Sequence, residues 1–100
     1  MTRARTPLLD QIQPLVLDLE YPDLPAEVRE ALARLPRGKA AEGVADMLNQ
    51  ARKHAAGTEG PLLRFEVMGR LHYALGRGDI GPVDYVTLSA YVASLADEPA

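Results

Sequence analysis

The stretch ALGRGDIGPVDY, residues 74 to 85, decides the fold, because it reads either as a phosphate-binding corner or as a turn between two helices. Gly76, Gly78 and Gly81 spell G-x-G-x-x-G, while Arg77, Gly78 and Asp79 spell a tripeptide associated with cell adhesion. The glycine fingerprint works between a strand and a helix, where pyrophosphate approaches the helix N-terminus and a carboxylate ~20 residues further on binds ribose. Here the preceding residues are spaced as a helix, and only 19 residues follow Gly81, too few for a βαβ unit. Read as a turn, every residue has a place. Gly76 caps the preceding helix, Gly78 takes a positive φ, Asp79 and Gly81 complete the corner, and Pro82 opens the next helix. Ile80 then plugs the corner, and Arg-Gly-Asp is its polar tip.

Working outward, the residues before the corner predict a helix from the Thr58-Glu59-Gly60-Pro61 break to about Leu75. Its apolar positions, Leu62, Leu63, Phe65, Val67, Met68, Leu71, Tyr73 and Leu75, occupy more than one face, which predicts the central and most buried helix. The residues after the corner, PVDYVTLSAYVASLA (82 to 96), predict a helix with Asp84 as its one charge. Leu88, Val92 and Leu95 form one stripe, and Val83, Val86, Ala90, Tyr91 and Ala93 cover much of the rest. A terminal helix of a small bundle normally exposes half its surface. This one has few polar groups to expose, so it either runs through the middle of the bundle or presents a protein-binding face. The candidate interface residues are Tyr73, Tyr85, Leu88, Tyr91, Val92 and Leu95, the tyrosines offering large contact area with a polar tip. A homodimer is the simplest partner arrangement.

Towards the N-terminus three further helices are expected. Thr6-Pro7 opens the first, with Leu8, Leu9, Ile12, Leu15, Val16 and Leu19 at helical spacing and a kink at Pro14. Pro25 restarts the chain after Tyr21-Pro22-Asp23-Leu24, with Val28, Ala31, Leu32 and Leu35 as the buried stripe, until Pro36-Arg37-Gly38 stops it. The third runs from about Lys39 to Ala56, with Ala41, Val44, Ala45, Leu48, Ala51 and Ala55 on one face and Gly57 as the C-cap. No segment alternates with period two between hairpin turns, so no sheet is expected. The fold class is all-α: one domain over residues 1 to 100, a compact bundle of four to five helices with short Pro/Gly turns. Residues 1 to 5 are expected as a flexible tail and 97 to 100 as a frayed end.

Composition agrees with this. An apolar fraction of 47% and a charged fraction of 25% are ordinary globular values. The absence of cysteine excludes disulfides and thiolate metal sites and fits a reducing compartment, with the cytoplasm as the expected location. No secretory signal and no membrane span is read. Many charges follow the helix dipoles, and Glu30 with Arg34 and Glu66 with Arg70 add pairs four residues apart. All eleven Lys and Arg residues lie at or before Arg77, whereas Asp79, Asp84, Asp97 and Glu98 follow Gly78 with no base among them.

Ser89 and Ser94 are mid-helix, which is wrong for a nucleophile elbow. His54 and His72 have no second ligand at metal-binding spacing, and Glu42 with Asp46 make a poor cation site alone. A small-molecule or metal-binding enzyme would need a site between helices, around Glu66, Arg70 and His72. The basic cluster Arg34, Arg37 and Lys39, with Arg3 and Arg5, lacks interleaved aromatics, and the net charge of -3 opposes a nucleic-acid-binding regulator. No cofactor, metal, catalytic residue or nucleic-acid partner is expected.

Residues 8 to 56, which include LPAEVREALARLPRG (24 to 38), resemble the small bacteriocin immunity proteins of the enterocin A type. The likeness lies in the apolar spacing, the Pro25-Ala26-Glu27 helix start and the glycine-containing turn. It implies an antiparallel four-helix bundle and a protective, non-catalytic role exerted on the bacteriocin's membrane receptor complex. The second half departs from that pattern at the 76 to 82 corner and in its uncharged last helix, and no functional residue is carried over. The reading from the residues themselves is a non-catalytic helical interaction module, self-associating or partner-binding through its C-terminal helix.

Overall fold

The computed structural model describes residues 17–36 and 39–97, with the backbone alone for 39–42. Four helical residues, 17–20 (α1), lead through a tight turn to α2 (Ala26–Ala33), followed by α3 (Lys39–Lys53), α4 (Gly60–Arg77) and α5 (Pro82–Leu95). The fold is an all-α bundle, and no strand occurs among the described residues. The expected opening at Thr6-Pro7, the Pro14 kink, the tail 1 to 5 and residues 98 to 100 lie outside the described residues.

Apolar spacing builds the core as each helix turns one stripe inward. Val28, Ala31 and Leu32 come from α2, Val44, Ala45 and Leu48 from α3, Val67 and Leu71 from α4, and Leu88 and Val92 from α5. Leu24, Leu35 and Ile80 close it from the connections, and no polar or charged side chain is buried among the described residues. α4 packs between α3 and α5, and α2 packs against α3 and α5 on the far side, with no close backbone approach to α4. α4 therefore has one face on the core and the opposite one open. It is not the fully enclosed central helix that its apolar content suggests.

Leu17 of α1 and Tyr21 just after it, one turn apart, share the core side, which rotates Leu19 out to solvent. That reverses the expectation for Leu19. Arg29 fixes the arrangement: its Nε donates to Asp18 Oδ1 at 2.8 Å, and its Nη1 donates to the carbonyls of Pro22 and Leu24. One guanidinium thus ties α1, the 21 to 25 turn and α2 together.

Connections obey backbone chemistry, with two corrections. α3 ends at Lys53, three residues early, and a chain of turns follows in which Gly57 N donates to His54 O at 3.0 Å and Gly60 N to Gly57 O at 3.2 Å. Gly57 does not take the left-handed cap conformation. The glycine that matters here is Gly60, where a Cβ would lie 2.7 Å from Ala55 O and 2.9 Å from His54 O. At the other end, α4 runs through Gly76 to Arg77, and Gly78 is the left-handed cap (φ 81, ψ 10), its N–H reaching back to Leu75 O at 3.1 Å. Gly76 is an ordinary residue of the last turn, because the helix continues until a residue without Cβ can reverse it. Ile80 is buried and Pro82 opens α5, as the turn reading requires.

Candidate interaction surface

The corner between α4 and α5 carries no phosphate cradle: a helix precedes it, and only Gly78 has positive φ. Its adhesion-like tripeptide is closed on itself, with Arg77 Nε 3.3 Å from Asp79 Oδ2. Arg77 Nη1 also donates to Tyr73 Oη at 3.3 Å, and its guanidinium stands 5.6 Å from the Tyr73 ring centre. Hydrogen bonding to Tyr73 first, then attraction to Tyr73 and Asp79, holds the Arg77 guanidinium above its ordinary pKa.

The Arg34 member of the basic cluster is occupied as well. Its Nε and Nη2 both donate to Asp84, with contacts of 3.1 and 2.8 Å to Oδ1 and 3.0 Å to Oδ2. The hydrogen bond to Asp84 raises the Arg34 pKa, desolvation opposes it, and attraction to Asp84 and then Glu30 adds to it. Arg34 thus joins the end of α2 to the first turn of α5 rather than pairing with Glu30 along its own helix. Arg37 and the side chain of Lys39 lie outside the described residues.

Glu66, Arg70 and His72 do not converge. His72 stacks on Tyr85 of α5, ring centres 5.5 Å apart, whereas Arg70 reaches the other way, its Nη1 3.8 Å from where a Cβ on Gly43 of α3 would stand. Among the described residues no three His, Asp or Glu side chains gather as a metal-binding group, and no helix is long and apolar enough to cross a membrane.

The candidate interface residues separate into two sets. Leu88, Val92 and Leu95 are buried, and Tyr85 and Tyr91 are half-buried against the core. Only Tyr73, 67% exposed, stands out in solvent. This corrects the expectation for the three aliphatic residues: they form the inward stripe of α5, on the side where α2, α3 and α4 pack against it.

That opposite side is the surface that the residue spacing alone did not single out. On α5 it carries Val83 (77% exposed), Val86 (62%), Ala90 and Ala93. Its neighbouring hydroxyls are turned back onto their own helix: Thr87 Oγ1 donates to Val83 O at 3.2 Å, Ser89 Oγ to Val86 O at 3.3 Å and Ser94 Oγ to Tyr91 O at 2.6 Å. Such local bonding leaves the face poor in outward polar groups. On α4 the face opposite Val67 and Leu71 holds Leu62 (61% exposed), Phe65 (77%), Gly69, Tyr73 and Gly76. The positions recur three or four apart, so they form one stripe along the helix. Because α4 and α5 are joined by a short corner and touch through His72 and Tyr85, the two stripes lie side by side on one apolar face.

Comparison with protein-family models, curated proteins and solved structures gives no match for this chain.

Proposed function

We propose that the chain is a non-catalytic, helical protein-interaction module that works through the outer face of α4 and α5, in the cytoplasm. The observation that carries this reading is the exposure of Leu62, Phe65, Tyr73, Val83 and Val86 on one side of a bundle whose core is already complete without them. Isolated exposed apolar side chains are common, but a contiguous group of large ones marks a contact surface. The hydroxyls folded back on α5 support the reading further, because they lower the cost of drying that face. The bacteriocin immunity proteins that residues 8 to 56 resemble also act by contact and not by catalysis.

A photo-reactive side chain at position 86 tests this in the cells that make the protein, with position 27 on the exposed side of α2 as the control. The expected result is a covalent protein adduct of discrete mass at position 86, abolished by Phe65→Lys, and none at position 27. Equal labelling at the two positions, or none at either, overturns the reading.

A further inference from the structure

We propose that a second copy of this chain covers the outer face of α4 and α5, packed antiparallel about a two-fold axis beside Gly69 and Ala90. This rests on the reading of that face as a contact surface and names its occupant. The first argument is area. Aromatic side chains offer ~150–250 Å² each and aliphatic ones about half that, so at the exposures given above the five large residues present roughly 500 Å². One side of a standard interface covers ~800 Å², of which ~56–65% is apolar. The face therefore supplies about the apolar area that one partner of a stable dimer contributes.

The second argument is shape. Along α4, Leu62 and Phe65 stand towards one end and Tyr73 towards the other, while Gly69 between them is open, with nothing within 4 Å of a Cβ built on it, and so is Gly76. Along α5, Val83 and Val86 come first, then Ala90 and Ala93. The ring contact of His72 with Tyr85 sets the two helices so that Gly69 is level with residues 88 to 90. A two-fold axis there lays Leu62 of each copy over Gly76 of the other, Phe65 beside Tyr73, and Val86 over Ala93. Leu62 and Val86 meet small residues and the Phe65 and Tyr73 rings pair, which is the self-complementarity a two-fold interface requires.

The third argument is charge. None of the stripe positions on α4 or α5 carries a charge, so a second copy meets no like charge along them, and Arg70 reaches away towards Gly43 of α3. α5 brings no charge to the axis, since Asp84 is held by Arg34 at the bundle's side.

The chain has no cysteine, so single thiols test the geometry directly. Gly69→Cys and Ala90→Cys each place a thiol beside the axis, where the two Cα atoms come within the ~7 Å that a disulfide spans. Glu27→Cys on α2 is the control. Under mild oxidation of dilute protein, both axis variants are expected to form disulfide dimers at least about tenfold faster than the control, because association raises the effective thiol concentration. Ala90→Cys keeps the test valid if Gly69→Cys fails to fold, which circular dichroism detects. Dimerisation of both at the control rate overturns the second-copy proposal. If position 86 then still cross-links to a different protein, the contact-surface reading stands and only its occupant is wrong; no adduct at all removes both.

Discussion

Replacing Gly60 by alanine is expected to destabilise the fold, although the same change elsewhere in these helices stabilises it. Alanine is favoured over glycine in a helix interior by ~0.5–1 kcal/mol, and by less at a first residue such as Gly60. Against this, the new Cβ stands 2.7 Å from Ala55 O and 2.9 Å from His54 O, closer than carbon and a carbonyl oxygen can approach. Arg64 Nη1, 3.1 Å away, ends a flexible side chain and can move, but the two carbonyls belong to the turn that joins α3 to α4. Overpacking of this kind costs ~1–3 kcal/mol, so the net loss is about 1–2 kcal/mol. At ~4–8 °C per kcal/mol for a domain of this size, Tm falls by roughly 5–15 °C. Gly43→Ala is the control, since its Cβ would meet only Arg70 Nη1, at an ordinary 3.8 Å. It should gain about 0.5–1 kcal/mol. Urea unfolding followed by circular dichroism measures both, through a shift of midpoint at constant slope. A Gly60→Ala variant as stable as the parent would refute the close approach of the two turns.

Other substitutions separate the two sides of α5 and the parts of its corner. Leu88→Ala should cost ~2–5 kcal/mol by opening a cavity in the core, while Val86→Ala, measured on dilute monomer, should stay within about 0.5 kcal/mol of the parent. Equal losses in urea melts would mean that the helix faces are misplaced. Gly78→Ala should cost ~1–2 kcal/mol because φ is 81 there, and Gly76→Ala should cost nothing. A double-mutant cycle with Arg34→Ala and Asp84→Ala should give a coupling of about 0.5–1 kcal/mol that shrinks in salt, the upper range for a solvent-accessible pair with two-pronged geometry. Zero coupling at low salt would show that the pair does not hold α2 to α5.

The helices and their stops were legible in the residues because proline, glycine and three-to-four spacing act locally. Pro82 opens α5 and Gly78 reverses the chain for reasons confined to a few residues. What local pattern could not supply was which side of an apolar helix faces in. On α5, Leu88 with Val92 and Val86 with Ala90 are both plausible core stripes, and only the arrival of α2, α3 and α4 on one side chooses between them. The same ambiguity made α4 look fully enclosed, since Phe65 and Leu62 read as core until their distance from Val67 and Leu71 around the helix is seen against the neighbours. The role of Arg29 is hidden from local pattern for a related reason: its acceptors, Asp18 and the carbonyls of Pro22 and Leu24, come together only when the 21 to 25 turn closes. The pairing of Arg34 with Asp84, fifty residues on, is likewise a product of packing.

Self-contact through the outer face of α4 and α5 predicts a molar mass that depends on protein concentration. Molar mass by light scattering over a wide range of protein concentration tests it most directly, run on the parent and on a Phe65→Lys, Val86→Lys variant. The expected result is a parent that rises from 10.9 kDa to twice that mass with concentration, and a variant that stays at the monomer mass with an unchanged circular dichroism spectrum. A parent that remains monomeric throughout, or a variant that associates as the parent does, would contradict it.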